Sequence, residues 1–153
     1  MDITHTCCVT GHRDIPLQKL SPLFKRLRQE TEWAIENGYT HFISGFAAGT
    51  DLFFAEVVAA LKNTYPITLE AAIPYRGRLR TPDADFQRLI RECERVRVHS
   101  EEYSKGCYMI RNRYMVNASS LVIAVHDGRL SGGTAATIRC AREAGRTIRE
   151  ILL

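Results

Sequence analysis

The stretch LVIAVHDGRLSGGTAATIRCAREA, residues 121–144, carries the pattern that decides the fold. Residues 121–126 form a short apolar run of the kind that is buried on both faces of a parallel sheet. Residues 127–134 contain three glycines and predict a loop, and residues 135–144 have helical periodicity that ends at Gly145. A strand, a loop and a helix in this order are the repeating unit of a parallel α/β sheet.

The same unit recurs towards the N-terminus. Apolar runs predict strands at residues 6–10, 40–44, 67–73 and 95–99, and a last strand follows at 147–151. Helical periodicity lies between them, at residues 20–37, 51–62, 84–92 and 106–118, while residues 76–83 predict an exposed loop. The alternation predicts a single Rossmann-like three-layer α/β/α domain over residues 1–153, with a mostly parallel sheet of about six strands.

Composition narrows the class of protein. The chain has 153 residues, 45% of them hydrophobic and 25% charged, which is ordinary for one globular domain. It contains no apolar run near the roughly 20 residues that span a bilayer, and its polar start does not resemble a signal peptide, so we expect a cytoplasmic protein without a membrane partner. The net charge of +4 is spread along the chain and suits a small anionic ligand or weak nucleic-acid contact.

The cysteines predict neither a metal site nor a redox site. Their number is odd, no two have CxxC spacing, and no paired histidines accompany them. We interpret them as reduced, small apolar side chains. They are Cys7, Cys8, Cys93, Cys107 and Cys140.

Three predicted strand ends carry small, flexible residues that suit a bound phosphate. Because the carboxyl ends of parallel strands meet at one edge, we expect the three loops to line one crevice. Glycine lets the backbone approach an anion, and Thr and Ser add hydroxyl donors. The candidate ligand-binding residues in these loops are Thr10, Gly11, His12 and Arg13; Ser44, Gly45, Gly49, Thr50 and Asp51; and Asp127, Gly132, Gly133 and Thr134.

None of these loops matches a known nucleotide fingerprint. The Gly45 loop lacks both the lysine of a P-loop and the three-glycine spacing of a dinucleotide motif. The sequence therefore contains no motif that indicates ATP hydrolysis or ordinary NAD-dependent hydride transfer. The loops predict binding without naming a reaction.

Several polar residues allow both a functional and a structural interpretation. His12 and Arg13 could contact an anion or simply cap neighbouring carbonyls. Arg111 and Asn112 could reach a phosphate or ribose from a helix whose apolar residues are core. Asp51 and Asp127 could bind a ribose or act as a base, or serve as a helix cap and a turn residue. Glu56 is more simply the partner of an arginine.

Four short motifs occur in a fixed order along nearly the whole chain. They are Val-Thr-Gly-His-Arg at 9–13, Ser-Gly-Phe-Ala-Ala-Gly-Thr-Asp-Leu at 44–52, Arg-Asn-Arg-Tyr-Met-Val at 111–116 and Gly-Gly-Thr at 132–134. In this order they resemble the YpsA-like branch of the SLOG superfamily. That resemblance implies a Rossmann-like fold and a nucleotide or nucleotide-derived ligand such as NAD, ADP-ribose or a nucleoside monophosphate.

The superfamily also contains the LOG enzymes, which cleave the N-glycosidic bond of nucleoside monophosphates with an Arg and a Glu. Arg111 resembles their arginine. At the position of their glutamate this chain has Arg139 or Thr137, depending on how the glycine pair is aligned, and Ser131 replaces their proline. Because the oxocarbenium-like transition state needs a carboxylate, LOG-like turnover would require Asp51, Asp127 or Glu56 to supply it.

The sequence therefore favours a protein that binds or senses a small phosphate-containing ligand, with no cofactor required. The alternatives are a nucleoside-monophosphate N-glycosidase with a displaced carboxylate, for which Arg111 and Asp51 are the catalytic candidates, and single-stranded DNA binding. Single-stranded DNA binding would need aromatic side chains on which bases stack, and Tyr75 beside Arg76, Arg78 and Arg80 gives this only weak support. The resemblance also implies a homo-oligomer, although no apolar stripe marks an interface.

Overall fold

The computed structural model describes residues 2–153 and contains one six-stranded sheet. The strands are β1 (Thr6–Gly11), β2 (His41–Ser44), β3 (Thr68–Ile73), β4 (Arg95–Val98), β5 (Leu121–His126) and β6 (Thr147–Leu152). Their order across the sheet is β4-β3-β2-β1-β5-β6, and each neighbouring pair runs parallel. The expected α/β layout is confirmed, and the sheet is parallel throughout.

Five helices connect the strands. They are α1 (Leu20–Glu36), α2 (Thr50–Leu61), α3 (Ala84–Ile90), α4 (Cys107–Asn117) and α5 (Gly133–Glu143). Short 3-10 turns lie at Ile3–His5, Leu17–Lys19 and Arg76–Arg80. Among residues 2–153, none of the helices is both long enough and apolar enough to cross a membrane.

The core lies in two layers because alternate strand residues face opposite sides of the sheet. Cys7 and Val9 of β1 belong to the larger apolar cluster, which contains the inner faces of α1, α2 and α3. Cys8, between them, belongs to the smaller cluster with Met115 and Val116 of α4. The result is a three-layer α/β/α sandwich with three helices on one face and two on the other.

The strand order creates a topological switch point in the middle of the sheet. From β1 the chain moves outward through β2, β3 and β4, and then returns to place β5 on the opposite side of β1. The connections that leave β1 and β5 therefore diverge to opposite faces. In open α/β sheets this divergence opens a crevice beyond the carboxyl ends of the two strands, where ligands bind.

Two predictions about the connecting segments were wrong. Helix α5 begins at Gly133, two residues before the predicted start, so Gly133 and Thr134 belong to its first turn. The pattern missed this because glycine has low intrinsic helix propensity. The segment predicted as an exposed loop, 76–83, contains the 3-10 turn Arg76–Arg80, and Leu79 within it packs against the larger cluster.

Candidate functional site

A crevice of about 290 Å³ lies at the switch point, beyond the carboxyl ends of β1 and β2. Residues from the loop after β1, from the β2–α2 segment, from α4 and from the start of α5 converge on it. Its lining residues are Gly11, Arg13, Asp14, Ala47, Asp51, Arg111, Asn112, Gly133 and Thr134. The three glycine-containing loops therefore meet at one place. Helix α4 also reaches this place, from the face of the sheet that carries α5.

The β2–α2 loop has a strained shape that brings the crevice wall close to β1. Phe46 has a φ of 57°, in the left-handed region that bulky residues rarely adopt, and its buried ring packs edge-on against Phe86. Gly49 has a φ of 80°, and a Cβ there would lie 2.4 Å from the carbonyl oxygen of Arg13. Only glycine permits this approach of α2 to the loop after β1.

Two hydroxyl groups predicted to contact a ligand instead hold these loops together. The Ser44 hydroxyl donates to the carbonyl oxygen of Asp51 at 2.8 Å and accepts from the Phe46 amide at 3.2 Å. The Thr50 hydroxyl donates to the carbonyl oxygen of His12 at 2.9 Å. Ser44, Thr50 and Thr10 are all buried beneath the crevice and do not line it.

Arg111 is the cation at the base of the crevice and is only 4% exposed. Its Nη1 donates to the carbonyl oxygens of Gly45 at 2.6 Å and Ala72 at 3.1 Å, and its Nε donates to Oδ1 of Asn112 at 2.7 Å. These bonds tie α4 to the ends of β2 and β3. They also fix the guanidinium group beside the crevice, where it contributes positive charge in a poorly solvated position.

Asp51 faces Arg111 across Gly45 and is 8% exposed. Its Oδ2 accepts from the Ala47 amide at 3.2 Å. Burial raises the pKa of Asp51, although the charge of Arg111 and the Ala47 amide oppose that shift. A buried carboxyl group with a raised pKa beside a fixed cation is an arrangement that enzymes use for proton transfer.

Gly45 separates these two groups, and this gives a first prediction. A Cβ at residue 45 would lie 2.7 Å from both Arg111 Nη1 and Asp51 Oδ2, so Gly45→Ala must displace both side chains or shift the loop. We expect Gly45→Ala to lower the free energy of unfolding by about 1–3 kcal/mol, measured by urea denaturation. In Gly106→Ala the added methyl group meets nothing within 4 Å, so this control should stay within about 0.5 kcal/mol of wild type. Equal effects of the two substitutions would contradict the geometry.

The N-terminus of α5 supplies backbone donors to the opposite side of the crevice. Gly132 precedes the helix, and no side chain caps its first amides. The hydroxyl group of Thr137, one turn further along the helix, donates to the carbonyl oxygen of Gly133 at 2.9 Å and does not bind these amides. An uncapped helix start presents free N–H groups and a partial positive charge, which favour a bound anion.

His12 and Asp127 connect the ends of β1 and β5 below the mouth of the crevice. The buried ring of His12 places Nε2 3.2 Å from both Oδ1 and the backbone amide of Asp127. Arg129 binds the same carboxylate, with Nη2 at 2.7 Å from Oδ2, and hydrogen bonds from Arg129 hold the pKa of Asp127 well below its usual range. Arg129 also reaches Asp14 at 3.4 Å. Asp127 is thus part of an ion-pair network, and together with Gly132 and Gly49 it lies outside the crevice lining.

Of the three carboxylates that the sequence offers for a LOG-like reaction, only Asp51 lines the crevice. Glu56 lies outside the crevice and pairs with Arg88 at 2.5 Å. Arg139 is exposed and donates to the carbonyl oxygen of Leu130, and Thr137 is buried in α5. Asp51 remains the carboxyl group that shares the crevice with Arg111. Asp14 also lines it, although sequence reasoning missed this residue, whose exposed side chain follows the predicted loop by one position.

Comparisons with known proteins agree with this architecture. The model of the YspA SLOG family (YpsA) matches residues 7–147. The chain is 31% identical to the uncharacterized SPbeta prophage-derived protein YoqJ of Bacillus subtilis (strain 168), in an alignment that covers 73% of this chain and 72% of that protein.

Two solved structures of DNA processing protein A share the fold. The Streptococcus pneumoniae protein superposes with a TM-score of 0.71 at 23% identity, covering 95% of this chain and 49% of that one. The Helicobacter pylori protein, described for its single-stranded DNA binding mode, superposes with a TM-score of 0.67 at 20% identity, covering 95% of this chain and 64% of that one. The chain thus spans about half to two thirds of these proteins. The match over residues 7–147 establishes that it belongs to the YpsA branch of the SLOG family.

Proposed function

We propose that the crevice binds the phosphate group of a small nucleotide-derived ligand, such as a nucleoside monophosphate, NAD or ADP-ribose. The observation that carries the proposal is the convergence of the uncapped N-terminus of α5 with Arg111 and Arg13 at the switch point. Backbone N–H donors at a helix N-terminus and guanidinium groups are both common means by which proteins hold phosphate. Membership of the SLOG family supports the same ligand class.

Arg13 is the residue best placed to respond to a ligand. Its side chain is exposed at the crevice, and within residues 2–153 no carboxylate lies within 4.0 Å of its guanidinium group. Because its charge is not held in an ion pair, Arg13 can turn towards a phosphate without breaking one. Arg111, in contrast, is fixed before any ligand arrives.

The second prediction tests this proposal by thermal unfolding in the presence of AMP, NAD or ADP-ribose. A ligand at a hundred times its dissociation constant adds about 2.7 kcal/mol of stability, which corresponds to a rise in Tm of about 5–11 °C for a domain of this size. Arg13→Ala should weaken binding about tenfold or more while leaving the Tm without ligand unchanged, because a charge-assisted contact to phosphate is lost. Arg28→Ala, which removes an exposed arginine of α1, is the matched control and should bind like wild type.

Two outcomes would contradict phosphate binding in the crevice. One is the absence of stabilisation by all three compounds at millimolar concentration. The other is binding of single-stranded DNA alone, with an affinity that falls steeply as salt rises, which would support a role in single-stranded DNA binding like that described for the H. pylori protein.

The second candidate function is cleavage of an N-glycosidic bond, and Asp51 is the observation that favours it. Burial raises the pKa of Asp51 beside Arg111, so this carboxyl group is available for proton transfer to the departing base. Free base released from AMP or NAD, followed by chromatography, distinguishes this function from binding alone. Asp51→Asn should abolish the release while keeping ligand-induced stabilisation.

A further inference from the structure

Three tyrosines form an aromatic cluster beside the crevice. Tyr75 follows β3, Tyr103 lies in the connection to α4, and Tyr108 is in the first turn of α4. The ring centroid of Tyr75 is 5.5 Å from that of Tyr103 and 6.4 Å from that of Tyr108, with near-perpendicular planes. We call Tyr75, Tyr103 and Tyr108 the tyrosine wall.

The tyrosine wall adjoins the cations of the crevice. The guanidinium carbon of Arg13 lies 5.2 Å from the ring centroid of Tyr108, and that of Arg111 lies 5.6 Å from it. Both arginines line the crevice, so Tyr108 extends the crevice wall towards the side of β3. A single ligand held by these arginines can therefore also contact an aromatic ring.

The fold does not use these three rings as core. Of the six tyrosines in the chain, Tyr39, Tyr65 and Tyr114 pack against the two apolar clusters, whereas the tyrosine wall belongs to neither cluster. Tyr103 is 64% exposed. The hydroxyl groups of Tyr39 and Tyr114 form hydrogen bonds with other side chains. Within residues 2–153, the hydroxyl groups of the tyrosine wall form none. Aromatic side chains beside cationic groups are the elements on which proteins stack nucleic-acid bases.

We infer that the ligand carries an aromatic base that stacks on the tyrosine wall at Tyr108 while its phosphate lies between Arg111 and the start of α5. Arg13 now lies over Tyr108, and when it turns towards the phosphate it frees that ring for the base. This inference rests on the proposed phosphate binding and adds a second subsite. It assigns the base of that nucleotide to Tyr108 and predicts that a sugar phosphate without a base binds weakly.

The third prediction compares AMP with ribose 5-phosphate, which has the same phosphorylated sugar without a base. By titration calorimetry, wild-type protein should bind AMP about tenfold or more tightly than ribose 5-phosphate, because stacking of one base on an aromatic side chain is worth that factor. Tyr108→Ala should weaken AMP binding about tenfold and change ribose 5-phosphate binding less than twofold. Tyr108→Phe keeps the ring and should bind AMP like wild type.

The outcomes separate this inference from the function on which it rests. Equal affinity of wild type for AMP and ribose 5-phosphate would overturn the base subsite and leave phosphate binding intact. Failure of both compounds to bind would overturn both proposals. The comparison in wild type needs no variant, so it decides the matter even if Tyr108→Ala does not fold. Binding of oligonucleotides in preference to AMP, increasing with strand length, would also overturn it, because the tyrosine wall would then serve a nucleic-acid chain.

Discussion

Glu70→Ala is expected to lower the free energy of unfolding by about 3–5 kcal/mol, the range for breaking a buried, hydrogen-bonded charge network. Glu70 lies in the middle of β3 and is fully buried. His41 donates to its Oε1 at 2.8 Å, and the Tyr114 hydroxyl donates to its Oε2 at 2.5 Å. Alanine would leave both donors without their partner and open a cavity beneath α4. Urea denaturation at neutral pH measures the loss.

The dependence on pH identifies the cause of this loss. Burial alone would raise the pKa of Glu70, but the hydrogen bonds from His41 and Tyr114, with the charge of Arg95, lower it below the ordinary value of 4.5. The ionised side chain therefore contributes stability that is fully present above pH 4.5 and is lost as the pH falls through the lowered pKa. The difference in stability between wild type and Glu70→Ala should shrink in the same direction.

Glu101→Ala is the matched control for the removal of a carboxylate. Glu101 pairs with Arg76, but its side chain is 72% exposed, and exposed ion pairs contribute about 0–1 kcal/mol. A loss at Glu70 no larger than the loss at Glu101, or a difference from wild type that does not change with pH, would show that Glu70 is not the centre of a buried network.

Glu70 also shows where sequence reasoning about the fold stopped. The apolar run at residues 67–73 correctly predicted β3, because strands buried on both faces are apolar almost throughout. A glutamate within that run signals a buried carboxylate that needs partners. Its partners could not be predicted, because His41 comes from β2 and Tyr114 from α4, and only the strand order brings them together.

The candidate site, too, could be predicted from the sequence only in part. That the three glycine-containing loops would converge followed from the common direction of parallel strands. The inward direction of the Ser44 and Thr50 hydroxyls did not, since it depends on the strained turn at Phe46. From the sequence, Tyr75 beside its basic segment was the candidate for stacking a base. In the structure Arg76 pairs with Glu101, and it is Tyr103 and Tyr108, distant in sequence, that join Tyr75.

Replacing Arg111 should produce the other large effect, because this side chain serves both the fold and the crevice. Arg111→Met keeps the length of the side chain but removes the donors to Gly45 and Ala72 and the charge that faces Asp51. We expect a loss of about 2–4 kcal/mol in the free energy of unfolding at neutral pH. The ligand-induced rise in Tm should disappear as well. Arg113→Met, at an exposed position of the same helix, should stay within about 0.5 kcal/mol of wild type.

Asp51 makes the origin of the Arg111 effect testable. Burial already raises the pKa of Asp51 above its ordinary value of 3.8, and loss of the Arg111 charge should raise it further. A raised pKa favours folding below pH 3.8, and this contribution is lost as the pH rises through the folded-state value. The destabilisation by Arg111→Met should therefore grow from acid to neutral pH. Adding Asp51→Asn removes the buried charge, so the double variant should be more stable at neutral pH than Arg111→Met alone. A double variant that is equally unstable at every pH would mean that the two side chains act independently, and that Arg111 supports the fold only through the carbonyl groups it binds.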